Sequence, residues 1–176
     1  MKRILLSIAV ICATVVTVNA QVATGTNATR TQNMKIIIKE VFDLALTPGT
    51  LQTFSFDALS NYDAAGGIEL AAANTMSYKS NHLWKVTAIA NAPEFVYAAT
   101  ANSKVADLSP MATSVLQLRK TGGTYQALPA STGSAITVAS GTRGTGNFTL
   151  DYKAVPGYTY QTGEYTIGVV YTMTNQ

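Results

Sequence analysis

Polar and apolar residues alternate with a period of two along much of this chain, most strictly near its C-terminus. In 146–176, GNFTLDYKAVPGYTYQTGEYTIGVVYTMTNQ, Phe148, Leu150, Tyr152 and Ala154 fall on one side. Thr149, Asp151 and Lys153 fall on the other. After a Pro-Gly and a Thr-Gly turn, Tyr165, Ile167, Val169, Tyr171 and Met173 repeat the pattern. Successive side chains of a strand point to opposite faces, so this period predicts strands with one buried face.

The same reading predicts a first strand over 34–42, with Met34, Ile36, Ile38 and Phe42 on one side and Glu40 as an irregularity. A second is predicted at 51–56 after the Pro48-Gly49 turn, with Phe54 and Phe56 inward. The Asn, Asp and Gly content of 61–67 predicts a loop. Strands follow at 68–73 (apolar without a clear period, a short helical turn being the alternative), 75–80, 83–91 (Trp84, Val86 and Ala88 sharing a face), 95–99 (a short strand or a connection), 115–120 and 136–140. The stretches 102–110 and 141–146 read as connections. Short strands with a turn signal about every ten residues predict an all-β fold. The specific expectation is an immunoglobulin-like antiparallel β-sandwich of about eight to ten strands, one domain over 34–176. Trp84, Phe148, Tyr152, Tyr165 and Val169 are the expected structural core.

The first twenty residues follow a different pattern. Lys2 and Arg3 precede an apolar run over 4–18, and Val18-Asn19-Ala20 supplies small residues for signal peptidase. The expectation is a cleaved signal peptide over 1–20, a mature chain starting at Gln21, and a flexible polar arm over 21–33. A short membrane anchor is the competing reading of the apolar run; after cleavage no stable membrane insertion is expected. Cys12 is the only cysteine, so a mature chain would have no disulfide, thiolate nucleophile or Cys-ligated metal. A short signal and a cysteine-free domain point to a bacterial exported protein at the cell surface, in the extracellular space or in the periplasm.

Charge narrows the partners. Without Lys2 and Arg3, ten basic residues face nine acidic ones. The basic residues are scattered and form no stripe with interleaved aromatics, so no nucleic-acid partner is expected.

Three stretches carry a resemblance. YKSNHLWKVTA at 78–88, VLQLR at 115–119 and DYKAVPGYTYQTGEYTIGVVYTMT at 151–174 are similar to elements of WxL-like cell-surface domains. The Gly-x-Tyr-Thr ending also resembles that of spore-coat-protein-U-like, pilin-related proteins. The resemblance implies a small exported immunoglobulin-like sandwich associated with the outer surface.

Chemistry-bearing residues are few. His82 is the single histidine, at a turn after Ser80 and Asn81, with no nucleophile motif beside it. No catalytic residue and no cofactor is assigned. Asp57, Asn61 and Asp63 space oxygen ligands in a Gly-containing loop, which makes them calcium candidates. The same residue types also populate such loops for turn formation alone. Tyr158 and Tyr160, in the turn before the last strand, are candidate binding residues; Trp84, if exposed, could stack on a sugar. Tyr165 after Gly163-Glu164 resembles a tyrosine corner. Two functional expectations stand. One is a non-enzymatic structural protein, a fimbrial or fibre subunit or a matrix component, that self-associates or docks on other surface proteins. The alternative is a monomeric, adhesin-like module that binds glycan or protein through its loops.

Overall fold

The computed structural model describes residues 29–63, 66–101 and 110–176. The chain divides into two units, 1–37 and 38–176. Of the first, residues 29–37 are exposed and have no regular structure. The expected signal peptide lies outside the described residues, as does 21–28 of the expected arm.

The second unit is an all-β sandwich with ten strands among the described residues. They are β1 Phe42–Thr47, β2 Ile68–Ser80, β3 Trp84–Ala90, β4 Val96–Ala98, β5 Leu116–Lys120, β6 Gln126–Ala127, β7 Ile136–Gly141, β8 Gly144–Ala154, β9 Glu164–Thr166 and β10 Val169–Asn175. One sheet has the order β1-β2-β8-β5-β6, the other β10-β3-β7, and β4 with β9 makes a two-stranded ribbon. Every pairing is antiparallel.

The core forms where the alternation of both sheets turns inward. From the first sheet come Met76, Leu116, Leu118, Phe148, Leu150 and Tyr152; from the second come Trp84, Val86, Ala88, Ala90 and Ala139. Each fully buried Leu or Val side chain contributes about 1.5–3 kcal/mol relative to exposure. Trp84 fills the centre of one end. Its ring lies 4.2 Å from that of Tyr78 and 6.1 Å from that of Phe148, and its Nε1–H donates to the Thr142 carbonyl at 2.9 Å. A buried indole N–H without an acceptor would be costly, so that bond fixes the ring plane. Gly141 lies against the same ring: a Cβ there would sit 2.7 Å from Trp84 Cζ2. Gly141→Ala is therefore expected to destabilise the domain by about 1–3 kcal/mol through overpacking. Urea unfolding of the variant measures this; an unchanged midpoint would mean that the ring yields freely.

Two predicted strands are absent. Of 34–42, only Phe42 is in a strand, the first residue of β1. The reason is register: Phe42 pairs with Ser80, where β2 ends, so no residue of β2 is left for residues before 42 to pair with. The run 51–56 is also not a strand; its apolar alternation is met by packing, with Phe54 against the core and the Phe56 ring 5.3 Å from Tyr62. The predicted 61–67 loop contains most of a short helix, Leu59–Asp63, and residues 64–65 lie outside the described residues. So do 102–109 of the predicted connection.

Two further departures have local causes. The predicted strands 68–73 and 75–80 are one, β2, interrupted by a bulge between Leu70 and Asn74, with Ala72 at φ 47°. The bulge is why no clear period shows there. Conversely, 165–173 is not one strand. It breaks at Gly168, whose N–H donates to Asn91 Oδ1 and whose carbonyl accepts from the Asn91 N–H, both at 2.9 Å. Tyr165 therefore belongs to β9 in the ribbon, while Val169, Tyr171 and Met173 belong to β10.

Candidate functional site

His82 lies in the turn between β2 and β3. The Ser80 hydroxyl donates to the His82 carbonyl at 2.8 Å and accepts from its N–H at 3.0 Å, so Ser80 closes the turn. The imidazole is half exposed, 4.0 Å from the Glu40 carboxylate. Ser80 Oγ is thus engaged with backbone, and no nucleophile–base pair forms with the ring.

Asp57, Asn61 and Asp63 do not converge. The Asn61 amide donates to Asp57 Oδ1 at 3.0 Å and to the Ser55 carbonyl at 3.3 Å. Asp63 Oδ1 instead accepts from the Tyr158 hydroxyl at 2.5 Å. Among the described residues, no three His, Cys, Asp or Glu side chains are grouped to hold a metal ion.

Tyr158 and Tyr160 fall into separate aromatic groups. Tyr158 stacks on Tyr62, with centroids 5.2 Å apart, and remains exposed. Its hydroxyl pKa is raised, first by the bond to Asp63 and then by desolvation. Tyr160 lies edge-on to Tyr165 at 6.2 Å, and Tyr97 meets Tyr165 at 5.2 Å. The Tyr165 hydroxyl donates to the Gln161 carbonyl four residues upstream at 3.0 Å, the bond of a tyrosine corner. Trp84 is buried, and so are Phe148 and Tyr152; Tyr165 and Val169 are half-buried. With its ring inside, Trp84 offers no stacking face to a sugar.

One charged cluster forms around Asp151, which the alternation places on the outer face of β8. It is nonetheless 1% exposed. The β2 bulge covers it: the Ala72 N–H donates to Oδ1 at 2.8 Å, Thr121 Oγ1 donates to the same oxygen at 2.6 Å, and Arg119 Nε donates to Oδ2 at 2.8 Å. Arg119 also reaches Glu69 at 3.0 Å. Burial alone would raise the Asp151 pKa, but the bonds from Thr121, Ala72 and Arg119 outweigh it and lower the value. The Tyr125 ring sits 4.2 Å from the Arg119 guanidinium carbon and 4.4 Å from the Lys153 ammonium. Burial, followed by the Glu69 carboxylate, pushes its hydroxyl pKa up to about 12. A carboxylate that is fully bonded and covered cannot serve as a base; this cluster pins the bulge.

The feature that sequence reasoning missed is the open side of the sandwich. β1 is the edge of the larger sheet and β10 the edge of the smaller one, and the two adjoin. Along that side the inward residues Phe42, Leu44, Val169, Tyr171 and Met173 are only half-buried, and Leu46 is exposed. At the centre of the sandwich, Val86, Ala88, Leu118 and Leu150 are 0% exposed. The Tyr171 hydroxyl bonds that of Tyr152 at 2.8 Å, tying the middle of β10 to the core. Burial raises the pKa of both hydroxyls. Met34, Ile36, Ile37, Ile38 and Val41 are all 59–85% exposed. The sequence signal was present, since 34–42 alternates as a strand should. What it lacked was any indication that this segment pairs with no strand among the described residues.

Among the described residues no helix is long and apolar enough to cross a membrane. In comparison with known protein families and with curated proteins, the chain matches no family model and no curated sequence.

Proposed function

We propose that the protein is a non-enzymatic structural subunit of the bacterial cell surface or extracellular space, which builds a fibre or matrix by self-association. The observation that carries this reading is the presence in one chain of an open apolar side and of a segment, 34–41, whose Met34, Ile36, Ile37, Ile38 and Val41 are exposed. Clustered exposed apolar residues of this kind mark interaction surfaces. An edge strand with unpaired backbone groups is a template for another chain. The signal-like pattern of the first twenty residues supports export.

The test is sedimentation velocity and negative-stain microscopy of the full-length chain, secreted and purified, over a wide concentration range. Concentration-dependent oligomers or filaments are expected. A monodisperse monomer at every concentration, with hits on a glycan array, would replace this reading with a binding module that uses the exposed Tyr158 face.

A further inference from the structure

We infer that residues 34–38 of one copy add as a strand to the free edge of β10 in a second copy, with Met34, Ile36 and Ile38 covering that copy's open side. This rests on the self-association reading and names its partner and joint.

Among the described residues β10 pairs with β3 alone, so its other edge offers N–H and C=O groups that no described strand takes up. An incoming extended segment satisfies those groups and gains specificity from alternate side chains. The side chains match in spacing. Val169, Tyr171 and Met173 form the inward row of β10 at every second residue, and Met34, Ile36 and Ile38 repeat the same interval. The inward β10 residues are half-buried, which leaves apolar surface to be covered there, while the three arm residues are 80–85% exposed. The opposite edge of the same sheet is less available, because Gln126 Nε2 donates to the Thr137 carbonyl of β7.

The occupant is a second copy because the chain's own residues before β1 are clamped. Asn81 Oδ1 accepts from the Val41 N–H at 2.9 Å, and Asn81 Nδ2 donates to the Lys39 carbonyl at 2.6 Å. These bonds hold 39–41 in the line of β1, beside the turn that follows β2. Return of the same chain onto its own β10 would require releasing that clamp. Pairing in trans leaves it intact.

The test is directional cross-linking in a Cys12→Ser background. Full-length Ile37→Cys chain is mixed with full-length, size-tagged Thr172→Cys or Val170→Cys chain under mild oxidation. Residues 37, 170 and 172 all lie on the faces away from the apolar rows. A mixed disulfide dimer is expected with β10 cysteines and not with a Lys120→Cys control on β5. Second, Ile36→Asp with Ile38→Asp should weaken association about tenfold or more, because it places carboxylates against apolar surface. Both residues are exposed in the single chain, so thermal unfolding of the monomer should not change. Assembly that persists in the double aspartate variant, with no mixed disulfide, would overturn this joint and leave self-association standing. Chains that neither associate nor cross-link would overturn both.

Discussion

Trp84→Ala is expected to cost about 3–5 kcal/mol, the range for deleting a large buried aromatic. The indole is 3% exposed and packs between Tyr78 and Phe148. The substitution removes that packing, opens a cavity between the sheets and leaves the Thr142 carbonyl without its donor. Some of the cavity can collapse, because Gly141 beside it is small, which sets the lower end of the range. Chemical denaturation of wild type and variant measures the difference. Trp84 is the only tryptophan in the sequence, so emission reports on this site alone. A blue-shifted native maximum that moves red on unfolding is expected. A red maximum in the folded protein would place the ring in water and remove the basis for the predicted loss.

Asp151→Asn should cost about 3 kcal/mol, because it strips the charge from a carboxylate that holds three donors and leaves Arg119 facing a neutral partner. The Arg119 side chain is 26% exposed, and water access keeps the cost from reaching the top of the range for buried pairs. The pH dependence has a definite sign. The folded carboxyl has a lowered pKa, so its contribution is fully present above the unfolded value of about 3.9. It is lost as pH falls through the lowered folded value. Wild type should therefore lose stability on acidification below about pH 4 by an increment that Asp151→Asn lacks. Parallel acid titrations of the two proteins would refute the assignment. The burial of this side chain also has a topological origin. Only the bulge in β2 brings the Ala72 N–H over the outer face of β8, so Asp151→Asn should raise hydrogen exchange at Ala72 before it does so elsewhere.

Period-two alternation was enough to read the all-β architecture, and it placed Phe148, Leu150, Tyr152 and Ala154 on the inner face of β8, where each is buried. Position along a strand is a local property, and local sequence records it. What the alternation could not record is which strand lies next to which. Residues 34–41 and 51–56 have the pattern of strands but pair with no strand among the described residues. The reverse error came at Gly168, where a side chain from the far end of β3, Asn91, interrupts a run that reads as continuous. Asp151 looked like an ordinary outward residue because the bulge that covers it is 79 positions away. The three calcium candidates were close in sequence, but Asp63 turns to Tyr158 and leaves the other two. In each case the deciding contact is long-range, and single-residue periodicity carries no information about it.

The turn between β2 and β3 holds more than a change of direction. Asn81 fastens Lys39 and Val41, while the carbonyl of Leu83 accepts the Gln176 N–H at 3.2 Å. In a fibre joined arm to edge, tension would enter each subunit beside Asn81 and leave along β10, whose last residue pairs with Trp84. The pull then passes from the Asn81 contacts, which are exposed, to the longer β10–β3 pairing, whose Val169, Tyr171 and Met173 pack against the core. Stretching such a fibre should strip these turn contacts first, lengthening each link by a small, recoverable amount while the sandwich stays folded.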